Sequence, residues 1–198
     1  KLCLSQIRMY KRMLQSILKI GLPAGFEAIM YSISNIIVQV SINNFGVDTM
    51  AAWTAYSKID FIFWMINSAF GISVMTFVGQ NYGAGKWDRI RRGTKICLGM
   101  ALISAVSVSI ILMSAERFLF GIFVNDVGVV EIGIRMMNVI APAYLLFAFI
   151  EVFSGALRAQ GAVVVSTLIT MVGICVLRMI WVTLVAACLL YTSPSPRD

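Results

Sequence analysis

Glu27, Lys58, Asp60, Glu151 and Arg178 are charged residues set inside long apolar stretches of this 198-residue chain. A charge near the centre of a bilayer costs roughly 2.5–3.5 kcal/mol on insertion scales, so such residues face protein or a water-filled cavity. A carboxyl in that setting can take up and release a proton, or hold Na⁺, near neutral pH. Glu27 opens a series with Tyr31, Asn35, Gln39 and Asn43 at four-residue steps, which on a helix forms a slowly drifting polar stripe. Trp53, Ser57, Asp60, Trp64, Asn67 and Gly71 alternate steps of three and four and share a second helix face. Counted by helical rise, Glu27 and Asp60 each lie about 15 Å inside opposite membrane edges, at matched depth. Lys58 points away from Asp60 and is expected to reach an acid on another helix. Arg178 reads as a structural partner or a snorkelling charge. The amides Asn35, Gln39 and Asn67 serve equally well as hydrogen-bonding glue between helices or as the lining of a cavity.

Other chemistries find little footing. Without histidine, imidazole catalysis and histidine-ligated metal sites are excluded, and no nucleophile–base pair or metal constellation stands out, so neither an enzyme nor a metal site is expected. Cys3, Cys97, Cys175 and Cys188 lack CxxC spacing, and Cys97 and Cys175 read as small packing residues. "GQNYGAGK" lacks the phosphate-cradle spacing because Trp87 follows Lys86, and no strand precedes it. The net charge of +7 sits at the ends of apolar runs rather than along one soluble face, which argues for membrane flanks and against nucleic acid.

The elements that must position these groups are membrane helices. The chain is 60% hydrophobic and 13% charged, with mean hydropathy +0.89, too little charge to cover a soluble domain. The pattern predicts an all-α polytopic bundle with a basic amphipathic approach over 1–19 and spans over about 20–41, 50–78, 96–113, 134–156 and 163–187. Pro142 interrupts the fourth span, freeing the carbonyl of Asn138, as either a packing kink or a hinge. Eleven Lys or Arg fall on the side of the N-terminal segment, the 79–95 connection and Arg158, against Arg117 and Arg135 on the other. The first side is therefore expected to be cytoplasmic. Residues 188–198, with their Ser-Pro run, read as an adapter-derived tail, and the start at Lys1 reads as that of a fragment.

"IGLPAGFEAIMYSISNIIVQVSINNFG", "AAWTAYSKIDFIFWMINSAFG", "FVGQNYGAGKWDRIRRG", "FSGALRAQG" and "VLRMIW", in that order, resemble the C-terminal lobe of bacterial multidrug and toxic compound extrusion (MATE) transporters over about residues 15–185. The resemblance implies two six-helix lobes around a central cavity, of which five helices are present here. The partners implied are the bilayer, the N-terminal lobe and last helix of the same protein, and small cationic substrates exchanged for H⁺ or Na⁺ by alternating access, with no further cofactor. Some cation-coupled members carry a glutamate where Tyr31 stands and an aspartate where Phe147 stands. Glu27 and Glu151 are each displaced from those positions by one turn toward the cytoplasm, as if one site had moved.

The expected function is secondary efflux of cationic amphipathic compounds at the cell inner membrane. Glu27, Asp60 and Glu151 are the candidate coupling acids, Tyr31, Asn35, Gln39, Trp64 and Asn67 the cavity lining, and Pro142 the hinge. The rival readings are a lipid-linked saccharide flippase, which needs a more basic cavity, and a membrane scaffold or channel element that transports nothing.

Overall fold

The computed structural model describes residues 10–176, and every regular element among them is helical. In chain order these are α1 (Lys11–Asn43), α2 (Val47–Gly83), α3 (Trp87–Ser114), the short α4 (Glu116–Phe123), α5 (Val127–Ile140), α6 (Tyr144–Ala159) and α7 (Val163–Thr170). A 3₁₀ turn over Ala141–Ala143 joins α5 to α6, and α7 continues as a π-helical turn over Met171–Val176. Arg178, Cys3, Cys188 and the 188–198 tail lie outside the described residues, as does the far half of the fifth expected span. Among the described residues four stretches are long and apolar enough to cross a membrane: α1, α2, α3 and the α5–α6 rod over Val127–Ala159.

The basic approach segment, from Lys11 on, and the first expected span form one continuous helix, Lys11–Asn43. Lys11–Lys19 is rich in Lys, Arg, Met, Leu and Gln, strong helix formers, and runs straight into the apolar stretch. Pro23 thus sits inside α1 rather than at its first turn, and it leaves the Lys19 carbonyl without its helical N–H.

Tight turns set the antiparallel course of the chain. At the α2–α3 turn Gly85 takes φ +69°, and the N–H of Lys86 reaches back to the Asn81 carbonyl at 2.9 Å. At the α6–α7 turn Gly161 takes φ +83° while the N–H of Ala162 closes on the Leu157 carbonyl at 3.1 Å. Both positions need the left-handed region that glycine enters without a Cβ penalty. The Gly-rich "GQNYGAGK" stretch is therefore a helix–turn–helix connection. These turns bring the N-terminal ends of α1, α3 and α7 to one end of the bundle with the C-terminal ends of α2 and α6. Because Lys86, Arg89, Arg91, Arg92 and Arg158 gather there, it is the basic end.

The centre of the bundle is α2. Its buried residues Ala52, Ala55, Tyr56, Ile59, Phe63, Asn67, Gly71, Val74 and Val78 repeat at three- and four-residue steps. Against them lie Tyr144, Ala148, Val152 and Ala156 of α6, Met137 of α5, Ala141 of the 3₁₀ turn, and Cys97, Ala101 and Ala105 of α3. The small residues let helix backbones approach closely, as apolar lipid chains leave packing as the main drive for association. Large apolar residues such as Phe61, Met65, Ile72, Met100, Ile103 and Ile110 point outward. α1 is peripheral, with 17% of its most apolar window buried.

α2 and α6 run parallel in constant register. Asp60 meets Tyr144, and Gly71 meets Gly155, where an added Cβ would lie 2.8 Å from the Gly71 carbonyl oxygen. The interruption expected at Pro142 is present. It takes the form of the 3₁₀ turn, and Ser109 of α3 donates to the Ala141 carbonyl at 3.2 Å.

Candidate functional site

Two polar clusters lie between the helices, and the acids divide between them. The first, toward the basic end, is built on Glu27. Its Oε1 accepts from Arg158 Nη2 at 2.6 Å and its Oε2 from Thr167 Oγ1 at 3.1 Å, so one carboxylate ties α1 to both α6 and α7. The Glu27 side chain is 13% exposed and that of Arg158 32%. Arg158 also donates from Nε to Ser166 Oγ at 3.1 Å, and Ser166 Oγ donates in turn to the Ser154 carbonyl at 3.2 Å. Thr170 Oγ1 lies 3.3 Å from Ser154 Oγ. A half-buried guanidinium anchored at two points is a well-oriented partner for a carboxylate, and the pair offsets the desolvation of both charges. Glu151 completes the cluster. Its side chain lies against Gly71, in the space a Cβ there would fill, and within electrostatic reach of both Arg158 and Glu27.

The second cluster is built on Asp60. Tyr144 donates its hydroxyl to Asp60 Oδ1 at 2.5 Å, and Trp64 Nε1 donates to Oδ2 at 2.9 Å. The Tyr56 hydroxyl lies 3.4 Å from that of Tyr144. Tyr144 has one proton and gives it to Asp60, so Tyr56 is the donor in that contact. Tyr144 is 1% exposed, its ring stacked on Phe63 with centroids 3.8 Å apart. Trp64 bridges outward to Phe147, 5.2 Å away between centroids, and edge-on to Tyr31 at 6.5 Å. One carboxylate therefore sits beside Tyr144, Trp64 and Tyr56, with the rings of Phe63, Phe147 and Tyr31 packed around them.

The Tyr31–Trp64 contact fixes the register of antiparallel α1 and α2, and it overturns the expectation that Glu27 and Asp60 share one depth. Glu27 lies on the basic-end side of that contact, bonded to Arg158, and Asp60 on the other side, bonded to Tyr144, so the two are well apart along the bundle. Glu27 and Glu151, by contrast, do converge, around Arg158. Tyr31 and Phe147, one turn further along, converge on Trp64.

The other expected positions fare differently. The stripe that begins at Glu27 leaves the interface, because four residues exceed a helical turn and rotate about 40° per step. Past Tyr31, the buried face of α1 passes to Ser34, Val38 and Ile42, while Asn35 and Gln39 are exposed; Gln39 donates to Asn43 at 3.1 Å. Asn67 is 3% exposed, and its Nδ2 has no partner among the described residues. The Ser34 hydroxyl is likewise buried and unpaired among them. Lys58 does not reach an acid: it is exposed, and it makes no ion pair among the described residues, since the helix face it occupies points out of the bundle. Among the described residues no group of three His, Cys, Asp or Glu could hold a metal ion.

Arg158, Tyr144, Tyr56, Ser166 and Thr167 were not singled out from the sequence. Arg158 counted there only as a basic flank. A usable signal was present in Ser166, Thr167 and Thr170, hydroxyls repeating at helical spacing at the start of an otherwise apolar run.

Comparison with known proteins places this geometry. A family model described as MatE matches residues 23–184. The chain is 26% identical over 168 residues to Probable multidrug resistance protein YoeA of Bacillus subtilis, covering 85% of this chain and 36% of that protein. It is 27% identical over 171 residues to Probable multidrug resistance protein YpnP of the same organism, covering 86% and 38% respectively. Human Multidrug and toxin extrusion protein 1 is 23% identical over 128 residues, covering 65% of this chain and 22% of that protein. The chain thus spans little more than a third of the bacterial relatives it matches. Among solved structures, a MOP superfamily transporter from Pyrococcus furiosus shares the fold with TM-score 0.73 at 18% identity, over 91% of this chain and 48% of that one. With the family model matched along most of its length and the helical bundle shared with a transporter of known structure, the chain belongs to the MATE (MatE) family.

Proposed function

We propose that the full-length protein is a secondary efflux antiporter that exports cationic amphipathic compounds in exchange for H⁺ or Na⁺. The observation that carries this reading is the placement of Glu27, Asp60 and Glu151 on inward faces of membrane-length helices, each against groups of another helix. Carboxylates kept in that setting bind and release small cations. The aromatic box of Tyr31, Trp64 and Phe147 offers ring faces to a cationic substrate by cation–π attraction. Asn35 and Gln39, on the exposed face of α1, supply amides to the path, Asn67 is an amide buried behind it, and Pro142 supplies the turn about which α5 and α6 change direction. In this reading the basic end, with the N-terminal segment and residues 79–95, faces the cytoplasm across the plasma membrane. The exposed face of α1 then looks toward the other lobe of the protein.

The reading is tested by dye efflux from cells carrying the full-length protein with Glu27→Gln or Asp60→Asn. Each substitution is expected to abolish concentrative export at equal expression. Wild-type export by both, across a range of pH and Na⁺ concentration, refutes the assignment. A flippase for lipid-linked saccharides needs a cationic cradle for pyrophosphate, and Arg158 and Lys58 do not provide one: the first is engaged by Glu27 and the second points outward.

A further inference from the structure

Glu27 is the acid nearest the basic end of α1, yet it is already occupied, by a cation that belongs to the protein. Its two oxygens are both engaged, one by Arg158 and the other by Thr167, and these bonds are polar attachments of a helix with little apolar burial of its own. The guanidinium is held in place by Ser166, which is itself bonded to the α6 backbone. A second carboxylate, Glu151, stands two turns before Arg158 on the same face of α6, inside the field of the same guanidinium. No other charged group faces Glu27 from the described elements packed on it: α7 and the π-helical turn carry none, and Asp60 of α2 is bonded to Tyr144, 14 residues before Arg158 on α6.

We infer that Arg158 is a tethered counter-cation competing with the coupling ion for Glu27, and that the outcome of this competition determines whether α1 is clamped to α6 and α7. While Glu27 is ionised, Arg158 and Thr167 hold α1 against the bundle. When H⁺ or Na⁺ takes the carboxylate, the charge-assisted bond to Arg158 is lost, and the guanidinium turns to Glu151, which keeps it paired without leaving the low-dielectric interior. α1 then retains little beyond its modest apolar contact and swings free. Arg158 acts through Glu27 and is a positioning residue. The inference rests on the cation-coupled reading above but predicts a motion that needs neither substrate nor gradient.

Ser34 provides the reporter, because its side chain is 1% exposed on the inward face of α1, two turns beyond Glu27. The experiment follows N-ethylmaleimide labelling of Ser34→Cys in full-length protein, otherwise free of cysteine, in lipid nanodiscs without substrate. The parent is expected to label slowly at alkaline pH without Na⁺, and at least tenfold faster once the pH falls or Na⁺ is added. That rise on acidification runs against the intrinsic trend of a thiol, whose reactive thiolate becomes scarcer. Glu27→Gln should label fast under all conditions. Arg158→Gln should label fast already at alkaline pH without Na⁺, because the charge-assisted bond that holds α1 is gone. Arg158→Lys should restore slow, cation-sensitive labelling. Slow labelling of Arg158→Gln with an unchanged cation response overturns the inference, as does failure of Arg158→Lys to restore the clamp. If efflux fails while the labelling responds as described, the antiport reading falls and the clamp stands. Normal efflux with no labelling response overturns the clamp and leaves the antiport reading in place.

Discussion

Tyr144→Phe removes one hydroxyl and leaves the ring where it is, stacked 3.8 Å from Phe63. Two contacts go with that hydroxyl. The first is the 2.5 Å bond to Asp60, and a hydrogen bond to a charged group contributes about 1.5–3 kcal/mol net. The second is the contact with the hydroxyl of Tyr56, a residue only 3% exposed, which lies close enough to Asp60 to turn to it in part. Together they place the cost at about 2–4 kcal/mol. Asp60→Asn is nearly isosteric and keeps a carbonyl oxygen to accept from either Tyr144 or Trp64, so it should cost about 1 kcal/mol. If the two residues act as a pair, the double variant is less destabilised than the sum, by about 1–2 kcal/mol of coupling. The measurement is equilibrium unfolding of the purified full-length protein in mixed detergent micelles, followed by tryptophan fluorescence. Additivity to within about 0.5 kcal/mol would refute the idea that Asp60 is held by Tyr144, since independent sites behave that way.

Two further substitutions probe the frame around the acids. Gly155→Ala should cost about 1–3 kcal/mol in the same unfolding assay, because the new methyl meets the Gly71 carbonyl at 2.8 Å and Val74 at 2.9 Å, whereas Gly79→Ala, with only Ala159 at 4.0 Å, should stay within about 0.5 kcal/mol. Pro142→Ala restores the N–H that Asn138 lacks and should merge α5 with α6 into one α-helix. Hydrogen exchange over residues 141–146 would slow, and the Asp60–Tyr144 coupling would drop below about 0.5 kcal/mol as Tyr144 rotates away.

The helices were legible in the sequence because span length and hydropathy are local properties, and so was the break at Pro142, which follows from a missing N–H. Family membership was legible too, through separated motifs in order. Partnerships were not. Glu27 and Arg158 are 131 residues apart, and nothing in either local window marks Arg158 as more than a flanking charge. The matched depth assigned to Glu27 and Asp60 failed because a helical rise counted from assumed membrane edges says nothing about how two helices are shifted against each other. The Tyr31–Trp64 contact, with the bonds of Glu27 to Arg158 and of Asp60 to Tyr144, supplies that shift. The polar stripe of α1 faces the bundle at Glu27 and Tyr31 and leaves it from Asn35 on, since a turn of about 40° per step is harmless once and carries the side chain out of the interface by the second. Lys58 shows the same limitation from the other side: a charge in an apolar run implies a partner only if the residue faces inward, and that depends on packing.

The parallel course of α2 and α6 has a mechanical consequence. With partners at a fixed offset, sliding α6 by one turn along α2 would set Ile140 or Ala148 opposite Asp60 in place of Tyr144, and neither side chain has a proton to donate. The same slide would drag a residue with a Cβ across the Gly71–Gly155 crossing. Asp60 therefore works as an index pin: it admits one axial setting of the two helices and rejects its neighbours in both directions. In the transport cycle proposed above these two helices travel as one strut, and the freedom to move belongs to the loosely held helix beside them.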